Sequence, residues 1–289
     1  MFVVWSVVVL ASLLVLALLV LGTRFVVGKL RPRHLRRRPA FRAAARKPRP
    51  LVLLHGILGF DELGLGPARV AYFRGVVERL EALGAEVHCA RVPPLSPVHV
   101  RAERLAQLVR SLDAPSVNLI AHSMGGLDAR YAISRLGLAP RVASLTTIGT
   151  PHHGTPVADL GEELVRRLRL DLALSPLFDL QTLRDLTTAR MLAFNRSVRD
   201  VPEVRYLSVV ARAAGAIHPL LRPTHRWLTH GSGDNDGLVP ARSQRWGTVL
   251  CEIEADHWSQ IGWTSSSEGG FDPMTLYDNV LQKLRALGL

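Results

Sequence analysis

The chain has little cysteine, and it has no acid at all in its first 60 residues. Only Cys89 and Cys251 occur in 289 residues, both inside stretches with a strand pattern. There is no C-x-x-C pair and no Cys/His cluster at metal-ligand spacing, which excludes a zinc site or a disulfide framework. Buried free thiols are the simplest reading of the two cysteines, and one disulfide is the alternative. The first acid is Asp61, whereas 11 Lys or Arg lie between Arg24 and Arg49. Taking those 11 from the formal net charge of +12 leaves +1 for everything after residue 49. The basicity is therefore local, and it does not mark a nucleic-acid-binding domain. No internal repeat is present, and Gly and Pro are spread along the chain. With 48% hydrophobic and 21% charged residues the composition is that of a folded protein, long enough for one large core or two small ones.

The N-terminus is a different kind of segment. Phe2 to Leu21 is apolar apart from Ser6 and Ser12 and carries no charge. About 20 residues at 1.5 Å each give roughly 30 Å, the thickness of a bilayer's hydrocarbon. A cleaved signal peptide should begin with a basic residue and have a shorter apolar region, so the reading is an uncleaved transmembrane anchor over 1–22. Residues 23–49 form an Arg/Pro-rich juxtamembrane linker, either in contact with anionic headgroups or simply solvated. Because the positive charge follows the span, the remainder of the chain is expected on the cytoplasmic side. Secretion after signal-peptide cleavage is the alternative.

From residue 50 to 289 strands alternate with helices. Leu51–Leu54 is an all-apolar run of the kind found in central strands. Apolar spacing predicts helices over Tyr72–Leu83, Val100–Leu112 and Met274–Leu287, and strand patterns cover Glu86–Val92, Ala143–Ile148, Val204–Val210 and Thr248–Ile253. That alternation predicts an α/β fold, a mostly parallel central sheet with helices on both faces. The stretch 157–200 interrupts it and reads as a small cap or lid, or else as an outer helix of the core.

The chemistry is concentrated in VNLIAHSMGG, Val117 to Gly126. A buried strand runs into an abrupt Gly-flanked corner with one serine, Ser123, and then into a helix. This is the nucleophile-elbow arrangement, here as A-H-S-M-G with Ala121 in the position usually held by glycine. Ser123 should adopt a strained backbone that costs about 1–3 kcal/mol. The loop His55-Gly56-Ile57-Leu58-Gly59-Phe60 after the first strand can turn backbone N–H groups toward a developing oxyanion. Later in the chain GSGDNDGLVP, Gly231 to Pro240, offers two acids, Asp234 and Asp236, and Ala255-Asp256-His257-Trp258 offers a base.

In their order and separations LVLLHGILGFD, VNLIAHSMGGLDARY, TTIGTPHHGTPVAD, NDGLVP and ADH resemble the secreted bacterial triacylglycerol lipases of the Pseudomonas and Burkholderia type, within the α/β-hydrolase fold. The resemblance spans Pro50 to Leu287. It implies a carboxylic-ester hydrolase with Ser123 as nucleophile, Asp236 as triad acid and His257 as general base. The oxyanion donors it implies are the backbone N–H groups of Ile57 and Met124, supported by His55, Gly56, Gly59, Gly125 and Gly126. Asp234 is the competing acid. His122 is expected to point away from the nucleophile and to serve packing or hydrogen bonding, and His152 to be structural. Where these lipases place a calcium-binding acid, two residues after the base, this chain has Ser259, so no metal and no cofactor is expected. The expected substrate is a lipid or other ester, the expected partner a membrane through 2–21 and 24–49; no nucleic acid and no partner protein is implied. An acyltransferase or thioesterase would use the same three residues, and a non-catalytic tethered binding protein is the remaining alternative.

Overall fold

Strand β1 (Leu51–Leu54) is followed by an antiparallel hairpin, β2 (Glu62–Leu65) and β3 (Ala68–Ala71), then by helix α1 (Val76–Ala82) and strand β4 (Val87–Ala90). Helix α2 (Val98–Ser111) leads to β5 (Val117–His122), α3 (Gly125–Arg135) and β6 (Val142–Ile148). Helices α4 (Pro156–Arg167) and α5 (Thr188–Ser197) precede β7 (Arg205–Arg212). Helix α6 (Arg222–Ser232), strand β8 (Thr248–Glu254) and helix α7 (Pro273–Ala286) complete the order. The structure is a computed structural model, and it describes residues 48–57, 62–65, 68–169, 171, 179–215, 217–263 and 270–289. The apolar segment at 2–21 and the basic segment up to residue 47 lie outside them. Among the described residues no helix is long and apolar enough to cross a membrane.

Six strands form one sheet in the order β4-β1-β5-β6-β7-β8, and every pairing in it is parallel. Strand β1 shows why this sheet needs two helical layers. Its alternate residues Val52 and Leu54 pack with Ala102, Leu105, Ala129 and Ala132 of α2 and α3. Leu51 and Leu53 face the other way, onto Val76 and Leu80 of α1 and Leu276 and Val280 of α7. All four strand residues are buried, each contributing about 1.5–3 kcal/mol, and a polar replacement at any of them would leave an unpaired group in a core.

The expected α/β architecture is therefore present, with local differences. The hairpin β2–β3 was not expected. The helix expected over Tyr72–Leu83 starts only at Val76, because Gly75 takes a left-handed backbone with φ 69°. Tyr72 and Phe73 belong instead to the turn before it, and both are buried. Helix α6 was not expected either. The two cysteines lie on β4 and β8, opposite edges of the sheet. Five strand spacings of about 4.8 Å separate those edges by roughly 24 Å, far beyond disulfide reach, so both are free thiols and half-buried.

The stretch at 157–200 contains most of α4, a single helical turn at Gln181–Arg184 and α5. The Thr155 side chain caps α4 by accepting from the Val157 N–H, and Pro156 occupies the first turn, where it lacks no needed donor. Ala158, Leu186 and Met191 from this stretch pack with Met124 and Leu127 of the serine corner and with Ile57.

Candidate active site

The strand order dictates where a site can form. From β1 the chain moves outward to β4, then returns across β1 to β5 and continues the other way to β8. The crevice at the carboxyl ends of β1 and β5 is thus the point at which the winding reverses, where open parallel sheets carry ligands. His55, Gly56 and Ile57 leave β1 at this point, and Ser123 leaves β5 beside them.

Ser123 has φ 55°, a left-handed conformation that among the described residues only one other non-glycine, Arg169, adopts. Three hydrogen bonds hold the corner. The Ser123 N–H donates to the Ile148 carbonyl at 2.9 Å, and its own carbonyl accepts from the Thr150 hydroxyl at 2.7 Å and the Gly126 N–H at 3.1 Å. The loop after β1 lies directly on this corner: a Cβ on Gly56 would stand 2.7 Å from Ser123 Cβ. Gly125 permits an equally close approach in the other direction, since its Cβ would stand 2.9 Å from the carbonyl oxygens of Leu54 and His55. Ile57 follows Gly56, and Met124 is the cap residue of α3, so both backbone N–H groups belong to segments packed around Ser123. Gly59 lies outside the described residues.

His257 follows β8 and faces the loop after β7. Its Nδ1 donates to Asp236 Oδ2 at 2.7 Å, and its backbone N–H donates to the Asp236 carbonyl at 2.8 Å. Asp236 is fully buried, and its Oδ1 accepts the N–H groups of Leu238 at 3.0 Å and Val239 at 2.8 Å. Asp234 is placed otherwise: its side chain is 73% exposed and lies 3.8 Å from Arg212. Asp256 caps the turn that carries His257, accepting from the N–H groups of His218, Trp258 and Ser259. The Ser259 hydroxyl also donates to Asp256, at 2.7 Å. Among the described residues no group of three or more His, Cys, Asp or Glu stands where it could hold a metal ion.

His122 is a buried hydrogen-bonding residue. It lies between the turn at Tyr72 and the loop of His257, with its ring centroid 4.6 Å from that of His257. Burial holds its pKa well below the usual imidazole value, so the ring is neutral. His55 is held down to about 3 by burial and by the Arg101 charge, and its Nδ1 donates to the Gly56 carbonyl at 2.9 Å. His152 is a core residue, buried against Trp246 with ring centroids 5.2 Å apart. His153 stands on the same indole from the exposed side, and His225 is bound to Asn235 at 2.9 Å.

Other residues support the site without having been singled out in the sequence. Gln260 Nε2 donates to Asp236 Oδ2 at 3.0 Å, so that oxygen accepts from both an amide and the imidazole. Arg101, fully buried, donates to Asp128 at 2.8 Å, to the Pro93 carbonyl at 3.0 Å and to the His55 carbonyl at 2.6 Å. One guanidinium thereby ties the loop after β1 to the first turn of α3. Tyr72 receives the Gly56 N–H on its hydroxyl at 3.0 Å. Arg101 carried a signal in the sequence: a charge on the apolar stripe of α2, between Val98 and Leu105. Tyr72 and Gln260 carried none, since each looks like an ordinary neighbour of a motif.

A strained serine corner lies at the reversal point of a parallel sheet, and a buried imidazole–carboxylate pair follows the last two strands, groups of the kind that acyl chemistry uses. Residues 49–196 match the sequence profile of the alpha/beta hydrolase fold. The chain belongs to the α/β-hydrolase family. It is 30% identical over 265 residues to triacylglycerol lipase 2 of Saccharomyces cerevisiae, covering 74% of this chain and 80% of that one. It is 32% identical over 287 residues to a triacylglycerol lipase of Vibrio cholerae, covering 83% and 88%. The crystal structure of the mature Bacillus licheniformis lipase superposes with a TM-score of 0.67 at 22% identity, over 85% of this chain and 95% of that one.

Proposed function

We propose that this protein is a carboxylic-ester hydrolase acting on acylglycerols or other lipid esters through Ser123, His257 and Asp236. The observation that carries the reading is the buried His257–Asp236 pair, bound at 2.7 Å, in the same fold as a strained, buried Ser123 at the corner after β5. His257 takes the proton of Ser123 as its oxygen attacks the ester carbonyl, and Asp236 keeps the imidazole in the tautomer that leaves Nε2 free to do so. The N–H groups of Ile57 and Met124 stabilise the tetrahedral oxyanion. The proton then passes to the leaving alcohol, an acyl-enzyme remains on Ser123, and water activated by His257 releases the acid.

The test combines a fluorophosphonate probe with kcat/KM on a short-chain nitrophenyl ester. Ser123→Ala should lose labelling and several orders of magnitude of hydrolysis, as should His257→Ala, because the residues act as a unit. Asp236→Asn should cost about 10³–10⁴-fold and Asp234→Asn under about tenfold. A folded Ser123→Ala variant with full activity would overturn the mechanism, and a crippled Asp234→Asn beside a mild Asp236→Asn would reassign the acid.

The uncharged apolar run at 2–21, with its basic flank at 24–49, supports a membrane anchor that leaves the hydrolase domain cytoplasmic. Alkaline carbonate extraction with N-terminal sequencing tests it. A soluble product beginning near residue 24 would refute it.

A further inference from the structure

Two buried polar side chains under the serine corner have no part in the mechanism above, Tyr72 and His122. Tyr72 is 7% exposed and His122 is 1% exposed. They are linked to each other, to the loop after β1 and to the loop after β8. Gly56 N lies 3.0 Å from Tyr72 Oη, Tyr72 Oη lies 2.7 Å from His122 Nδ1, and His122 Nε2 lies 3.1 Å from the His257 carbonyl oxygen. Only one arrangement of protons satisfies this chain. A carbonyl can only accept, so His122 Nε2 carries the ring's proton; Nδ1 is then bare and accepts from the Tyr72 hydroxyl, whose oxygen accepts from the Gly56 N–H. The single proton on the ring agrees with the burial that keeps His122 neutral, and the Tyr72 hydroxyl is likewise held protonated.

We propose that Tyr72 and His122 are positioning residues: their hydrogen-bonded chain sets the distance between the oxyanion loop at Gly56-Ile57 and the loop that carries His257. The proposal rests on the function proposed above. Its physical basis is that the two loops leave different strands, β1 and β8, which stand four places apart in the sheet. No sheet hydrogen bond joins them, so their separation is set by what lies between their ends. Oxyanion donors and base must meet one substrate carbon from two sides, and a misplacement of about 1 Å can cost 10²-fold in rate. Every bond of the chain is shielded from water, and each end is a backbone atom of the loop it holds. Gly56 also contacts Ser123 directly, so a shift of that loop is a shift of the oxyanion donor relative to the nucleophile.

The experiment measures kcat and KM for nitrophenyl butyrate with wild type, Ser123→Ala, Tyr72→Phe, His122→Gln and the Tyr72→Phe/His122→Gln double variant. Active sites are counted by fluorophosphonate titration so that kcat is expressed per competent site. Tyr72→Phe keeps the ring and removes the link, and His122→Gln keeps a donor at the Nε2 position for the His257 carbonyl while removing the acceptor from the Nδ1 position that Tyr72 reaches. Each single variant should lower kcat per titrated site about 10- to 100-fold, with KM within about threefold of wild type. The double variant should be no more than about threefold worse than the worse single one, because both break the same chain. A role in folding alone would reduce the number of titratable sites and leave kcat per site unchanged, and that result overturns the proposal. So does a double variant whose loss is the product of the two single losses. If one variant yields no folded protein, kcat per site of the other decides alone. Wild type without esterase activity would sink the functional reading and this proposal with it. An active wild type and a dead Ser123→Ala beside a fully active Tyr72→Phe would sink this proposal only.

Discussion

Arg101→Met should be among the most damaging substitutions outside the groups that touch substrate, and it should be worse than Asp128→Asn, its ion-pair partner. Both side chains are fully buried, with Arg101 Nε 2.8 Å from Asp128 Oδ2. Burial pushes the Asp128 carboxyl up to about 7, against the pull of the Arg101 charge. Burial therefore favours the neutral form of Asp128, and the amide of Asn is close in shape and charge to that form. Asn also keeps an acceptor for Nε, so Asp128→Asn should cost about 1 kcal/mol, one ordinary hydrogen bond. Arg101→Met removes the donor to Asp128, to the Pro93 carbonyl and to the His55 carbonyl together. Two buried carbonyls without partners cost about 1–3 kcal/mol each, while Asp128 escapes most of its own cost by taking up a proton. The sum is roughly 3–5 kcal/mol, or about 10 °C in Tm for a domain of this size. Thermal unfolding of both variants at pH 7, followed by near-UV circular dichroism, measures the order. If Asp128→Asn lowers Tm as much as Arg101→Met, the charge pair itself is the stabilising element, and the account of Arg101 as an anchor for the loop after β1 is wrong.

Acid should weaken the fold well above the carboxylate range. His55, held at about 3, and His122 and His152, held well below 6.5 by burial, take up protons in the unfolded chain but not in the native one, so stability is complete above pH 6.5 and is lost as pH falls. Each contributes about 1.4 kcal/mol per pH unit, and Asp128, raised from 3.8 to about 7, works in the opposite direction and cancels one of the three. Urea midpoints should therefore fall steeply between pH 6 and 4.5, and a flat or rising midpoint would show that these imidazoles are not neutral in the native state. Gly126→Ala places a methyl 2.4 Å from Thr150 Oγ1, the hydroxyl that holds the Ser123 carbonyl. It should cost about 1–3 kcal/mol and lower kcat, with partial recovery of Tm in the Gly126→Ala/Thr150→Ala double variant; unchanged Tm and kcat in the single variant would refute the close packing at that corner.

The parts of this protein that could be read from residues alone are those whose chemistry leaves little choice. A serine between an apolar strand and a pair of glycines has few conformations open to it, and the positive φ of Ser123 follows. Alternating apolar runs and helical spacing revealed the parallel sheet. The choice between Asp234 and Asp236 depends on burial, which two residues in the same loop do not disclose until the turn at Gly237 has buried one of them and left the other beside Arg212. Helix α6 is hidden because its apolar face is thin: of RPTHRWLTHGS only Thr224 and Leu228 are buried. Tyr72 was drawn into the following helix by periodicity, since spacing cannot show that Gly75 starts the helix later. Gln260 and Arg101 act through backbone and carboxylate atoms far away in the chain, and no local pattern records such partners.

The seam between β6 and β7 has a consequence for the nascent chain. Ser144 to Ile148 pair with Arg205 to Val209, and the connection just before β7 exposes Arg199, Asp200, Pro202 and Glu203. Everything synthesised before that connection includes Ser123, Ile57 and Met124, and everything after it includes Asp236, His257 and Gln260. On the mechanism proposed above, a truncated product ending there would have a nucleophile without a base, and it would have an open strand edge at β6. A split at the same place would give two inert pieces, each of which can be completed only by the other. Ester hydrolysis would then report that the two had met, which makes this connection the natural point for a reassembly sensor.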